Sequence, residues 1–293
     1  MAERITIAGA RLTAAIDPFG AELSSLTDGA GRALMTDADP AFWTGRAPIL
    51  FPVVGRPHDD TIRVDGRDWP MRQHGFARRM MFAVAEQAAD RARFVLTDSA
   101  ETRAHYPFAF RLEMSFRISG ATLEMAATIA NPADVPLPAS FGFHPAFAWP
   151  LPDAGAKEDH RITFAADEPA ALRRIGPGGG IAPEPRPSPL DGRILHLRDD
   201  LFTADALIWD RLRSDRVVYG AAGGPRLEIA FPDTPMLGIW TLPGARFICV
   251  EPWHGIADPV GYRGEFRDKP GVFTIAPGAA RRIAMSVTLV AEP

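Results

Sequence analysis

The stretch FRLEMSFRISGATLEMAATI, running from Phe110 to Ile129, decides the fold class. Phe110, Leu112, Met114, Phe116 and Ile118 alternate with Arg111, Glu113, Ser115 and Arg117. After Ser119-Gly120, Leu123, Met125, Ala127 and Ile129 alternate with Glu124, Ala126 and Thr128. Apolar residues at every second position give a strand one apolar face; a helix would need a period of about 3.6 residues. Two such runs joined by a short polar turn predict an antiparallel hairpin with one dry face and one wet face.

The rest of the chain is written in the same style. Arg4–Ile7, Arg11–Ile16 and Ala21–Leu26 are strand-like and separated by turn residues, and Phe82–Ala85 and Arg93–Thr97 follow. Arg63–Trp69 bends at Asp65-Gly66, the residue pair that favours a tight hairpin. Beyond residue 160, the runs Arg161–Phe164, Ile194–Leu197, Ala206–Trp209, Val217–Tyr219, Leu227–Phe231, Leu237–Trp240, Phe247–Val250, Val272–Ile275 and Ile283–Val290 all fit strands. Roughly twenty short strands, no long helical pattern and no internal repeat predict an all-β fold, a large antiparallel sandwich or barrel with little helix. The Pro/Gly-rich segment Gly176–Asp191 is too poor in apolar residues to pack and is expected as a surface loop. Strands of one style flank it, so residues 1–293 are expected to form a single domain.

Composition narrows the function classes. A net charge of −4 over 293 residues argues against a nucleic-acid partner, which would call for a basic face. Positive charge is nearly all Arg, the only lysines being Lys157 and Lys269. The single cysteine, Cys249, excludes an intrachain disulfide and a Cys-rich metal site, and suits a reducing compartment. No apolar run is long enough to cross a bilayer, and Met1–Ala10 lacks the apolar core of a signal peptide. A soluble, cytoplasmic protein, monomeric or homodimeric, is the expectation.

Three stretches carry chemistry. In Phe247-Ile-Cys-Val-Glu251-Pro-Trp253, alternation places Phe247, Cys249, Glu251 and Trp253 on one face, and Pro252 is expected to stop the ladder. A carboxylate aimed into an apolar wall is costly unless it is paired or used. The competing arrangement is a strand-end Glu tilted into solvent or bonded to Arg. In Phe141-Gly-Phe-His144-Pro145, Phe141 and Phe143 share one face, leaving Gly142 and His144 on the other. A missing side chain beside an imidazole leaves room for something to lie against the strand, and Pro145 holds His144 extended. A core His bonded to a neighbour fits the same pattern. In Met71-Arg-Gln-His74-Gly75-Phe76-Ala-Arg78, Gly75 permits backbone geometry that frees His74 and Phe76 to point in unusual directions; an exposed turn is the alternative.

A His and a Glu facing one cavity are the minimum for paired acid and base work. No Ser stands in a nucleophile-elbow setting, Gly178-Gly179-Gly180 lies among prolines rather than before a helix, and no His-x-x-x-His spacing suggests a metal.

Pro48-Ile-Leu-Phe51-Pro52-Val-Val-Gly55-Arg56, His74-Gly-Phe-Ala-Arg78, Gly142-Phe-His144-Pro145-Ala-Phe147 and Glu251-Pro-Trp253-x-Gly255-x-x-Asp258, in that order, resemble the aldose 1-epimerase (galactose mutarotase-like) superfamily. The nearest likeness is to its short bacterial branch associated with lactose operons, and it runs essentially end to end. The resemblance implies a β-supersandwich with a sugar-binding cleft, and interconversion of the α and β anomers of a free aldose without a cofactor. By motif position it implies Glu251 as base, His144 as acid and His74 as the second His, steadying the ring oxygen. Arg56 matches a substrate-binding Arg in a shorter, different setting, and Asp205 matches an Asp that binds sugar hydroxyls. Arg78 could bind hydroxyls or a phosphate, or form a surface salt bridge. Trp43, Trp253 and Phe76 are candidates to pack on the apolar face of the sugar, or to fill the core. A hexose-6-phosphate mutarotase and a non-catalytic sugar-binding module are the alternatives.

Overall fold

The structure, a computed structural model, describes residues 3–290. Its largest element is an antiparallel sheet of nine strands. In spatial order these are Ile194–His196, Arg161–Phe164, Arg216–Gly220, Arg226–Ala230, Ala280–Val290, Thr122–Ala130, Arg111–Ser119, Arg91–Thr97 and Ala83–Gln87. The hairpin read from Phe110–Ile129 lies inside it, as its sixth and seventh strands. Leu112 stands opposite Ile129, Met114 opposite Ala127, Phe116 opposite Met125 and Ile118 opposite Leu123, all of them buried. Arg111, Glu113 and Ser115 are half-buried on the other face, and Arg117 is exposed.

A second, smaller sheet carries the site. Phe247–His254 is its central strand, paired on one side with Met236–Trp240, which in turn pairs with Leu207–Trp209. On its other side it meets two short pieces, Phe141–Gly142 and Ala146–Ala148. A three-stranded sheet of Ile5–Ala8, Leu12–Asp17 and Glu22–Asp28 lies near the N-terminus. The tight hairpin expected at Asp65-Gly66 forms between Thr61–Val64 and Arg67–Pro70, with both turn residues at positive φ (50° and 76°). Helix is confined to short turns, such as Ala100–Arg103 capped by Ser99. The fold is all-β and antiparallel throughout its named strands, as the alternation predicts.

One expectation fails and another holds in part. Phe247–His254 does not end at Pro252 but runs through it. The Pro252 carbonyl accepts the Phe143 N–H, on the side where the neighbouring chain breaks between Gly142 and Ala146. The missing N–H of Pro252 falls in that break, so no ladder bond is lost. Gly176–Asp191 is the mostly exposed surface loop expected, but it is not without packing. Ile181 within it is buried against Leu50, Val54, Ile208 and Trp253. Its N–H donates to the Asp258 carbonyl at 2.7 Å, and the Val260 N–H returns the bond to Ile181. A single well-placed isoleucine anchors a segment whose average composition is polar.

The main core runs from Ile5 to Leu289 in sequence and includes Ile248 and Val250. Phe247 and Cys249 belong instead to a small cluster with Ala146, Trp43 and Trp240 on the opposite face. The strand carrying Glu251 is therefore buried on both sides. Only its cleft-facing side holds chemistry.

Candidate active site

Glu251 and His144 reach this cleft face from adjacent chain segments. Glu251 is 2 % exposed and His144 7 %, and His144 Nε2 lies 3.1 Å from Glu251 Oε2. The two groups stand side by side. They form the floor of a cleft of about 400 Å³ lined also by Trp43, His74, Arg78, Asp205, Trp240 and Trp253.

Burial pulls both groups toward their neutral forms. It lowers the His144 imidazole to about 3, with Arg78 adding to the shift. It raises Glu251 well above the ordinary carboxylate value, helped by the negative charge of Asp205 and opposed by Arg78. The pair is best described as one unit that holds a single proton across its 3.1 Å contact.

His74 enters through strained backbone. Its φ is 63° and that of Gly75 is 70°, and a Cβ on Gly75 would lie 2.1 Å from the Phe51 carbonyl oxygen. Only glycine fits there. The Gly55 N–H donates to His74 Nδ1 at 3.1 Å, so in the neutral ring Nε2 carries the hydrogen, and the Gln73 side-chain amide 3.3 Å from Nε2 accepts it only with its oxygen turned toward the ring. Burial, then the charges of His144, Arg78, Arg79 and Lys269, hold this imidazole well below its usual value. The ring stands edge to face with His144, centroids 5.9 Å apart.

The space that Gly142 leaves is filled by protein. The Trp253 indole lies across the sheet, one end over Gly142 and the other over Gly238 on the far neighbouring strand. A Cβ on Gly142 would come 2.6 Å from Trp253 Cδ1, and one on Gly238 2.4 Å from Cη2. Trp43 stacks at a tilt on His144, centroids 5.1 Å apart, and Trp240 meets both rings edge-on. Such an aromatic surround suits the apolar face of a sugar.

The remaining expected residues divide. Asp205 is exposed at the rim, at φ 68°, its carboxylate accepting its neighbour's Ala206 N–H. Arg78 is largely buried and faces Glu22 and Glu251. Arg56 lines the cleft, but its guanidinium is held bidentately by Asp60 at 2.9 and 2.8 Å. Phe76 does not face the cleft; it packs against Phe51, Tyr106 and Phe110. Sequence reasoning missed Trp240, Gln73, Arg79, Ile175 and Ile208, all of which line the cleft. The alternation of Met236–Trp240 could have placed Trp240 on the face of Gly238, but nothing local says that this face borders a cavity.

Three donors that no sequence spacing linked also converge: atoms of His144, Cys249 and Glu251 lie within 4.8 Å of one another. They fit a resident metal poorly. A metal-bound His ordinarily donates its second N–H to a partner, and His144 Nδ1, buried, has none. Cys249 is fully buried, and burial followed by the Glu251 charge keeps its thiol well above the ordinary value.

Residues 3–268 match the family model of the aldose 1-epimerases. The chain belongs to that family. Its LacX branch includes the chromosomal protein LacX of Lactococcus lactis subsp. lactis, 28% identical over 289 residues that span 95% of this chain and 97% of LacX. A galactose mutarotase related enzyme from Lactobacillus acidophilus has the same fold, with a TM-score of 0.90, 29% identity, and coverage of 99% of this chain and 98% of its own. A galactose mutarotase-like protein from Lactobacillus casei ATCC 334 gives 0.91 and 30%, over 98% of this chain and 100% of its own. Family membership implies epimerase chemistry on a carbohydrate. Residues from all four stretches that carry the resemblance line the cleft, among them Arg56, His74, His144 and Glu251, whereas Asp258 is turned away from it.

Proposed function

We propose that the protein is a mutarotase, interconverting the α and β anomers of a free aldohexose at the Glu251–His144 pair. One observation carries this reading: a carboxyl and an imidazole 3.1 Å apart on the floor of a Trp-walled cleft. The anomeric hydroxyl and the ring oxygen of a hemiacetal are bonded to the same carbon. Neighbouring acid and base groups can therefore address both at once, side by side.

Ring opening needs one proton removed and one delivered. Glu251 takes the proton of the anomeric hydroxyl, a carbonyl forms at that carbon, its bond to the ring oxygen breaks, and His144 protonates the released oxygen. The aldehyde turns about its bond to the next carbon, and reclosure reverses each transfer. No net proton or electron enters or leaves, so the chemistry calls for no cofactor. Burial by itself favours the proton on the carboxyl. Hydrogen bonds donated by sugar hydroxyls stabilise the carboxylate and shift the proton to His144. Neutral His74 donates from Nε2 to steady the ring oxygen, while Trp253 and Trp43 carry the sugar's apolar face and Asp205 binds hydroxyls at the rim. Residues 1–293 act in this reading as one domain.

A hexose 6-phosphate is a second reading, favoured by one feature. Arg78 points a guanidinium into the cleft without the bidentate carboxylate partner that occupies Arg56. Polarimetry or saturation-transfer NMR on a panel of free and phosphorylated aldoses tests both. Catalysed exchange of free glucose or galactose, lost in Glu251→Gln, is the expected result. A requirement for the phosphate would select the second reading, and binding without faster anomer exchange would remove both.

A further inference from the structure

Asp258, part of the motif that begins at Glu251, has no place in the chemistry described so far. It forms an ion pair with Lys269, one of only two lysines in the chain, at 2.9 Å. The side chains are 8 % and 1 % exposed. A buried pair of this kind contributes little to stability for its cost, because desolvation opposes it. What it touches is informative.

Both partners grip the segment Val53–His58. Lys269 Nζ donates to the Val54 carbonyl at 3.4 Å, and Asp258 Oδ2 accepts the His58 N–H at 2.9 Å. The Asp258 N–H donates to the Arg56 carbonyl at 3.1 Å. Between these ties sits Gly55, at φ 73°, so close to the neighbouring chain that a Cβ would lie 2.3 Å from Ala257 Cα. On its other side Gly55 makes the two bonds that fix His74: its N–H to Nδ1 at 3.1 Å, and its carbonyl to the His74 N–H at 2.9 Å.

We propose that the buried Lys269–Asp258 pair is a positioning device for His74, acting through Gly55. The pair clamps Val54 and His58, the clamp fixes the direction of the Gly55 N–H, and that N–H selects the His74 tautomer with hydrogen on Nε2. Lys269 also adds to the positive charge that keeps the ring neutral, and so a donor at Nε2 rather than a second acid. Neither residue touches substrate. The catalytic consequence rests on the mutarotase reading above; the effect on the ring does not.

The test is Lys269→Met combined with Asp258→Asn, which removes both charges and keeps an acceptor for the His58 N–H. The primary readout is the ¹⁵N shifts of the His74 ring nitrogens, assigned with His74→Gln. Wild type should show hydrogen on Nε2, and the double variant a mixture of tautomers or exchange broadening. Its kcat should fall about tenfold or more, with a smaller change in KM, since misplacement by about 1 Å has effects of this size or larger. A merely structural pair would lower the melting temperature and leave the ring signals alone. Should the double variant not fold, Lys269→Met alone, which removes the ammonium and the donor to the Val54 carbonyl while leaving the Asp258 tie to the His58 N–H, is read in the same way. A folded variant with wild-type His74 shifts overturns the proposal, whatever its activity. Altered shifts together with no catalysed mutarotation in the wild type would uphold the positioning and remove the mutarotase reading instead.

Discussion

His144 Nε2 and Glu251 Oε2 lie 3.1 Å apart, both almost wholly removed from solvent, on segments joined through the same small sheet. Burial drives the imidazole down and the carboxyl up, so the pair keeps one proton over a wide range of pH. A single shared proton is what an enzyme needs if one group must give while the other takes.

Replacing Glu251 by Gln keeps the shape and removes the base. Catalysed mutarotation should drop by about 10² to 10⁴, within reach of the spontaneous rate, while circular dichroism stays native. The stability change has a defined sign. Because the folded carboxyl titrates above its unfolded value, the folded chain binds the extra proton, and wild-type stability falls as pH rises past 4.5 toward the folded value. The variant should lose that slope in denaturant titrations; an unchanged slope would count against a raised Glu251.

His144 acts in the opposite direction. Between 6.5 and about 3 the unfolded imidazole takes a proton that the folded one refuses, so stability falls as pH is lowered through that window. His144→Gln should reduce the loss between neutrality and about pH 4 by a few kcal/mol. The kcat/KM of the wild type should not fall as pH is lowered past 6.5, because in the sugar-free cleft His144 does not titrate there. An acid limb centred on that value would mean that the pair titrates as an ordinary imidazole.

Arg78 pulls both members of the pair downward. In Arg78→Met the His144 titration should move up toward 6.5 by NMR, and Glu251 should rise further. With the carboxylate harder to form, kcat on a free aldose should fall roughly tenfold. If only phosphorylated sugars are affected, Arg78 is a phosphate ligand instead.

Gly238→Ala tests the Trp253 platform. The new Cβ would meet the indole at 2.4 Å, and the backbone of both neighbours is held by the sheet, so the ring must tilt. We expect a loss of about 1–3 kcal/mol in unfolding free energy and a rise in KM larger than the fall in kcat. Unchanged KM in a destabilised variant would reduce Trp253 to core packing.

Much of this was legible in the chain. Alternation in Phe110–Ile129 fixes a half-buried hairpin because successive strand side chains must point to opposite sides, a property of each residue's own backbone. The same parity put Glu251 with Phe247 and Cys249, and His144 with Gly142, and both pairings hold in three dimensions. Asp65-Gly66 specified its turn because that turn demands positive φ at both positions. What failed did so through neighbours. Pro252 stays in its strand because the adjacent chain happens to break beside it, and Ile181 packs because a groove lies within reach. The separation of His144 from Glu251, the capture of Arg56 by Asp60, the diversion of Phe76 into the core and the Lys269–Asp258 clamp were decided only by the tertiary structure. Each depends on the register and stacking of segments distant in sequence, and one residue of slip would turn those side chains to the opposite face.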